Sequence, residues 1–315
     1  MITGPGLAVR DALAFRPVRP DELPACAEIW RVSIDDYMGR LNQPSLDGET
    51  APLLRLYAHL QAADPDRFIV ATREERIVAF AAAVVRERLW FLSMCFVLPE
   101  VQGAGVGRAL LERVAGSGDP DTVRATATDS AQPISNALYA SLGIVPRVPL
   151  LNMIGLPARP EAFGALPSGI NAVAFDRLAS DGHERLVGIV DTLDRQTLGV
   201  SHPVDHRYLR AEGRRGWLYQ GPGGEPIAYG YATEAGRVGP VASRDPDLLS
   251  PILGHLTTEV APRGAFAIWI PGTADRAVSG ALQAGFRLES FPVLLCWDRP
   301  FADLSRYLPI SPGLL

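Results

Sequence analysis

The feature that most constrains the fold is an order of predicted strands and helices that occurs twice along the chain. In the first half, apolar strand-like segments at 68–72, 76–85 and 89–97 precede a helix at 106–115, a strand at 123–128, a helix at 133–142 and a strand at 148–154. The second half has strands at 217–220, 225–232 and 237–243, a helix at 248–260, a strand at 265–270, a helix at 275–284 and a strand at 291–297. This order predicts two mixed α/β domains, either two copies of one unit or two unrelated domains that share an order.

The domain boundaries follow from composition and helical periodicity. Residues 155–168 are rich in Gly, Pro and Ala and lack periodicity, which is typical of a linker. We therefore predict a first domain at 1–155, a linker at 156–168 and a second domain at 169–315. Ahead of the first copy, a strand at 15–18 and helices from residue 21 and at 47–62 are predicted. A helix at 185–196 and a loop containing His202 occupy the matching region of the second copy.

Composition excludes several classes of function. The formal net charge of −5 argues against nucleic acid as a partner, because phosphate binding requires a basic surface. All 30 basic residues are arginine, which excludes a Schiff-base or P-loop lysine. The three cysteines are far apart in the sequence, and residues 1–13 lack the pattern of a signal peptide. The apolar segments are too short to span a bilayer. We therefore predict a cytoplasmic protein with no membrane partner.

A glycine-rich segment, VLPEVQGAGVGR at 97–108, follows an apolar strand and opens a helix. Glycines at 103, 105 and 107 allow close backbone approach, and the free amides of a helix N-terminus attract an anion such as a diphosphate. The spacing G-x-G-x-G differs from the dinucleotide-binding fingerprint, and a P-loop requires a lysine. A glycine turn with no ligand remains the alternative.

A second motif, NALYASLGI at 136–144, lies on a predicted helix soon after a strand. Asn136 and Tyr139 are three residues apart and share one helix face. A face that packs into the core requires apolar residues at both positions, so this pair indicates the polar edge of a cleft. Alternatively, Tyr139 is a half-buried aromatic residue with its hydroxyl in water.

Together, V-x-P-x-x-Q-G-x-G-x-G-R and a later N-x-L-Y-x-x-x-G resemble the GNAT superfamily of N-acetyltransferases. The resemblance covers about residues 15–154, and residues 171–297 resemble a degenerate second copy. It implies two tandem domains, each a mostly antiparallel mixed sheet flanked by helices, and acetyl-CoA as cosubstrate without a metal. The glycines of the phosphate segment are absent at 243–249 of the second copy, where two aspartates and Pro246 stand. Val278 and Ala281 replace Asn136 and Tyr139 there.

The resemblance also implies roles for particular residues. The end of the third strand, at Cys95, Phe96 and Val97, would bind the pantetheine arm and polarise the thioester. The diphosphate would be held by Gln102, Gly103, Ala104, Gly105, Val106, Gly107 and Arg108. Asn136 would contact the arm, and Tyr139 would protonate the departing thiolate as the catalytic acid. The acceptor amine needs a base, for which Asp35, Asp36, Glu87 and Glu100 are candidates, each also readable as an ordinary surface carboxylate.

These observations lead to two hypotheses of function. The first is an N-acetyltransferase, a monomer or homodimer, that moves an acetyl group to an amine. The preferred acceptor is a small molecule rather than a protein. The second is a non-catalytic acyl-CoA-binding sensor on the same fold, and a longer acyl-CoA or a hydroxyl acceptor also stays open. His202 and His206 are four apart but flank a proline and lack an evident third ligand. They are therefore predicted to be surface residues and not a metal pair.

Overall fold

The computed structural model describes residues 13–45, 50–116, 119–289 and 291–315, with the side chains of 179–183 left aside. The described chain forms two compact units. Unit 1 is Met1–Val85 with Trp90–Thr122, and unit 2 is Arg86–Leu89 with Val123–Leu315.

Unit 1 carries the first strands of the chain in sequential order, β1-β2-β3-β4. The pairs β1–β2 and β2–β3 are antiparallel. Three helices accompany them. The bounds are β1 Ala14–Pro17, α1 Leu23–Arg40, α2 Ala51–Ala63, β2 Phe68–Arg73, β3 Arg76–Arg86, β4 Leu89–Val97 and α3 Val106–Ala115.

The core of unit 1 is built around a group of aromatic rings. Tyr57 of α2 contacts Phe68 and Phe80 edge-on, with ring centroids 5.7 and 5.4 Å apart. Phe80 in turn lies 5.7 Å from Phe96 of β4. At the edge, Arg16 and Glu22 form a two-pronged ion pair with contacts of 2.7 and 2.6 Å. Aromatic pairs of this geometry contribute beyond their buried area, so they fix α2 against β2 and β3 and hold Phe96 of β4 beside β3.

Unit 2 contains the remaining strands and helices of the described chain. The strands are β5 Val123–Asp129, β6 Val145–Gly155, β7 Asn171–Ala174, β8 Arg215–Gln220, β9 Pro226–Ala232, β10 Arg237–Ser243, β11 Phe266–Pro271, β12 Arg287–Leu288, β13 Val293–Trp297 and β14 Tyr307–Leu308. The helices are α4 Pro133–Ala140, α5 Phe175–Thr197, α6 Pro203–Ala211, α7 Leu249–Glu259 and α8 Asp275–Ala284.

The strand order in unit 2 is β5-β13-β6-β11-β10-β9-β8-β7. Strand β13, from the second half of the sequence, therefore lies between β5 and β6, and it is antiparallel to both. Strand β6 pairs on its other side with β11, again antiparallel. The pair β10–β11 is parallel. The last strands of the two sequence copies have thus exchanged neighbours.

The mixed α/β fold class and its mostly antiparallel sheet are confirmed. Most predicted elements occur within a few residues of their expected bounds, and α3 and α8 have the bounds predicted for them. The helix predicted at 47–62 is observed as α2, although residue 47 itself is outside the described residues. Residues 1–12, for which we predicted that no signal peptide is present, also lie outside the described residues. The helix predicted at 185–196 is longer, Phe175–Thr197. The domain boundaries at 155 and 169 stay a prediction.

In the described part of the chain, every helix is too short or too polar to cross a bilayer.

Candidate functional site

The glycine-rich turn joins β4 to α3 in unit 1. Gly103 and Gly105 have φ of +78° and +79°, the left-handed region that favours glycine. A Cβ at either position would meet no atom within 4 Å, so backbone conformation and not crowding requires glycine there. The first helical bond joins the Ala109 amide to the Gly105 carbonyl at 3.1 Å. The amides of Val106 and Gly107 precede it, where helices leave donors for an anion.

Helix α3 is fixed at its opposite end. The Val114 carbonyl, in the last turn, accepts hydrogen bonds from the Arg67 guanidinium and the Trp90 indole, both at 2.9 Å. Carbonyls of the last turn lack helical partners, and a cation is favourable at this negative end. Side chains of its inner face, including Leu110, are buried. The N-terminus of the helix is therefore held rigidly beside the end of β4.

The end of β4 is less buried than its beginning. Cys95, Phe96 and Val97 are partly exposed, whereas Leu89–Ser93 are buried. The Val97 carbonyl accepts from the Gln102 side-chain amide at 2.9 Å and from the Ser33 hydroxyl at 3.3 Å. Gln102 thus folds the turn back onto the strand. Its side chain has a structural contact that the sequence did not reveal.

Asn136 lies on α4 of unit 2. Its side-chain amide donates to the carbonyls of Asp129 and Gln132, at 2.9 and 2.7 Å, and so ties the helix to the end of β5. Its Oδ1 atom is buried and has no hydrogen-bond partner. A buried acceptor without a partner is costly, so an N–H donor from a ligand would satisfy it. The amide groups of a pantetheine arm are donors of this kind.

Tyr139 is the buried residue of α4, with 6% of its surface exposed. It is more buried than the half-buried surface aromatic considered as the alternative. Its assignment as the catalytic acid stays a prediction. The helix ends with Gly143, whose φ of +82° allows the chain to turn into β6.

The four carboxylates considered as bases all form ion pairs with arginine. Asp35 and Asp36 pair with arginines on the same helix, at 3.2 and 2.7 Å. Glu100 is 3.4 Å from its arginine in unit 1, and Glu87 is 2.6 Å from its arginine in unit 2. Of the four, Asp35 has a buried oxygen, Oδ1, without a hydrogen-bond partner.

The three cysteines are unpaired thiols. Burial raises the pKa of Cys26 and Cys296 to about 12. The pKa of Cys95 is also raised to about 12, because its sulfur is removed from water although the residue as a whole is partly exposed. Because the thiolate is the nucleophilic form, none of them is a reactive nucleophile at neutral pH.

In the second sequence copy, the turn at 243–249 corresponds to the glycine-rich turn, and side chains of the turn itself form its hydrogen bonds. The Asp245 carboxylate accepts the amide of Asp247 at 3.0 Å, and Ser243 donates to the Asp245 carbonyl at 2.7 Å. A carboxylate therefore caps the short 3-10 turn, Pro246–Leu248, that leads into α7. Ala281, at the position that aligns with Tyr139, is fully buried.

The prediction that His202 and His206 are surface residues is wrong. Their exposed fractions are 1% and 5%, and both belong to the start of α6 rather than to a loop. Pro203 occupies the first helical turn, a position where proline is favoured, and this signal in the sequence was missed. Asp194, fully buried on α5, supplies a third polar side chain beside them. The sequence gave no signal that Asp194 lies beside the two histidines, because they come from different helices.

A family model described as an acetyltransferase (GNAT) domain matches residues 64–143. This chain contains a GNAT acetyltransferase domain. The matched segment runs from the start of β2 to the end of α4 and includes both the glycine-rich turn and the Asn136–Tyr139 motif. No curated protein is detectably similar to the chain in sequence.

Solved structures extend the GNAT fold to the whole chain. A protein from Pyrococcus horikoshii, described as an acetyltransferase, is 15% identical with a TM-score of 0.71, and 96% of each chain is covered. A GCN5-related N-acetyltransferase from Sphaerobacter thermophilus is 17% identical with a TM-score of 0.60, covering 94% of this chain and 99% of that one. A tandem GNAT protein of the clavulanic acid biosynthesis pathway has 14% identity, a TM-score of 0.52, and coverage of 91% and 99%.

Proposed function

We propose that this protein transfers an acetyl group from acetyl-CoA to the amine of a small molecule. The observation that carries the proposal is the left-handed glycine turn at the N-terminus of α3, inside the segment that matches the GNAT model. Helix N-terminal amides with an open approach suit the two negative phosphates of a coenzyme A diphosphate. Gln102–Arg108 bind that group, and Arg108 adds a positive charge in the first turn.

The remaining contacts follow from the chemistry of the cosubstrate. The partly exposed end of β4, at Cys95–Val97, receives the pantetheine arm and polarises the thioester carbonyl. Asn136 accepts an amide N–H through its unpartnered Oδ1. The turn at 243–249 has aspartates in place of glycines, so the second copy does not bind coenzyme A in this way.

The reaction is a direct transfer. The neutral amine attacks the thioester carbonyl carbon, a C–N bond forms and the C–S bond breaks. The amine loses a proton to a base, for which Asp35 is the favoured candidate because of its unpartnered buried oxygen. Tyr139 donates a proton to the departing thiolate. Coenzyme A leaves as the free thiol, and the amine leaves as the amide.

The alternative is a sensor that binds acyl-CoA without turnover. Retention of a tyrosine at 139 favours the enzyme, because binding alone does not require an acid. We further propose a cytoplasmic location, in keeping with three unpaired cysteines, and a small-molecule rather than nucleic-acid partner, in keeping with the net charge of −5.

The test measures release of free thiol from acetyl-CoA with a panel of amines. Tyr139→Phe should lower kcat by about a hundredfold, the usual contribution of a general acid, while the Kd for acetyl-CoA stays within a factor of about three. Tyr208→Phe, a partly exposed tyrosine outside both motifs, is the matched control and should retain activity. Binding of acetyl-CoA with no amine-dependent thiol release across the panel would establish the sensor instead.

A further inference from the structure

Unit 2 contains a buried cluster of metal-binding side chains that the proposed transfer reaction does not use. Asp194 lies near the end of α5, His202 caps the start of α6 and His206 lies one turn further along it. Their exposed fractions are 0%, 1% and 5%. Among the described residues, this is the one group of three potential metal ligands whose ligand atoms lie within 4.8 Å of one another.

The atoms converge with the spacing of ligands around one ion. Asp194 Oδ2 is 2.9 Å from His206 Nε2 and 3.4 Å from His202 Nε2. Four ligands at bond lengths of about 2.0–2.1 Å from a tetrahedral ion are separated by about 3.3 Å. The Tyr307 hydroxyl lies 3.3 Å from His202 Nε2, so an oxygen also stands near a fourth position.

Tyrosine hydroxyls hold the far sides of two of the three ligands, as outer groups do in protein metal sites. His206 Nδ1 is 3.0 Å from the Tyr231 hydroxyl, which leaves Nε2 to carry the lone pair if Nδ1 bears the proton. The Tyr229 hydroxyl donates to Asp194 Oδ1 at 2.5 Å. His202 Nδ1 is 3.6 Å from Asp205 Oδ2, a carboxylate that Arg86 holds with two contacts of 2.7 Å.

Hydrogen bonding alone does not account for the cluster. His202 Nδ1 is buried and has no hydrogen-bond partner. Its Nε2 faces two oxygens, of Asp194 and Tyr307, at 3.4 and 3.3 Å, longer than usual for a hydrogen bond. Buried polar atoms without good partners are costly, whereas an ion at the point of convergence would use all three ligand atoms at once.

We propose that Asp194, His202 and His206 bind one divalent transition-metal ion of the zinc type. Two imidazole nitrogens and a carboxylate oxygen suit zinc better than calcium or magnesium, which prefer oxygen ligands throughout. The ion joins the end of α5 to the start of α6 and so stabilises unit 2. A small surface cleft is lined in part by His206 and Tyr231, so one of the three ligands lies close to the surface.

The experiment measures metal retention by the full chain. The chelator-treated protein is dialysed against zinc chloride, desalted, and analysed for zinc by mass spectrometry. Wild type should retain one zinc per chain, and His206→Gln and Asp194→Asn should retain at least tenfold less. His255→Gln is the matched control, because His255 also contacts a tyrosine hydroxyl but lies outside the cluster. Its zinc content should equal that of wild type.

Two further measurements avoid reliance on variants that fail to fold. Cobalt added to the chelated wild type should give the visible absorption of a tetrahedral site, and zinc should abolish it. Tyr231→Phe keeps the packing and removes the contact to His206 Nδ1, so it should weaken zinc binding by about tenfold to a hundredfold. A folded wild type that retains no zinc, or variants that retain as much as wild type, would overturn the proposal. The proposed acetyl transfer would be unaffected by that result.

Discussion

Replacing Gly105 with alanine tests whether this glycine is required by the fold or by a bound ligand. Its φ of +79° is unfavourable for alanine, but the added Cβ meets no atom within 4 Å. Gly213 has a φ of +78° and equally open surroundings, and it lies far from Gly105 in the sequence. Its replacement by alanine makes the same local change to the backbone. Gly213→Ala is therefore the control for backbone strain.

The magnitude follows from two opposing effects. A left-handed conformation costs an L-residue about 1–2 kcal/mol, and alanine recovers about 0.4–1 kcal/mol through its less flexible unfolded chain. Both variants should thus lose the same amount of unfolding free energy, at most about 1.6 kcal/mol. Only Gly105→Ala places a methyl group beside the amides of Val106 and Gly107. If these amides bind a diphosphate, the Kd for coenzyme A should rise at least tenfold, or about 1.4 kcal/mol.

Isothermal titration with coenzyme A and urea unfolding measure the two quantities on the same samples. The expected outcome is equal destabilisation of both variants, with weakened binding in Gly105→Ala alone. If Gly105→Ala binds coenzyme A as tightly as Gly213→Ala does, the turn is purely structural. The assignment of the diphosphate to this helix N-terminus would then be wrong.

Three further substitutions test separate parts of the structure. Asp205→Asn should lower the unfolding free energy by about 3–5 kcal/mol in urea titrations, because it removes the carboxylate charge from a buried ion pair with Arg86. A loss under about 1 kcal/mol would contradict this. Glu22→Gln should cost about 1–2 kcal/mol near neutral pH, since the hydrogen bond from its arginine partner lowers the pKa of Glu22 from 4.5 to about 2. A lowered carboxyl pKa stabilises above the unfolded-state pKa, so the difference from wild type should shrink between about pH 4.5 and pH 2, and a difference that is constant with pH would refute the cause. If Asp35 is the base, Asp35→Asn should lower kcat for thiol release at least tenfold, whereas the control Asp36→Asn should not. Equal kcat values for the two variants would eliminate Asp35 as the base.

Local structure was predictable because its determinants lie close together in the chain. The periodicity of apolar residues and the glycines before it gave α3 its observed bounds, Val106–Ala115. The same reasoning placed α8 and the glycine turn. The motif that includes Asn136 was identified from its helical spacing together with its resemblance to a family pattern. Its bonds to the carbonyls of Asp129 and Gln132 were not predicted, because they depend on how strand and helix meet.

The sequence by itself determined the order of elements, their approximate bounds and the candidate site segments. Only the tertiary structure decided that β13 lies between β5 and β6, since an apolar strand pattern does not specify which neighbour it pairs with. It also decided that Asp194, His202 and His206 converge in the interior. Local patterns record which face of an element is apolar, whereas a buried polar cluster depends on side chains from separate elements that meet when the chain folds.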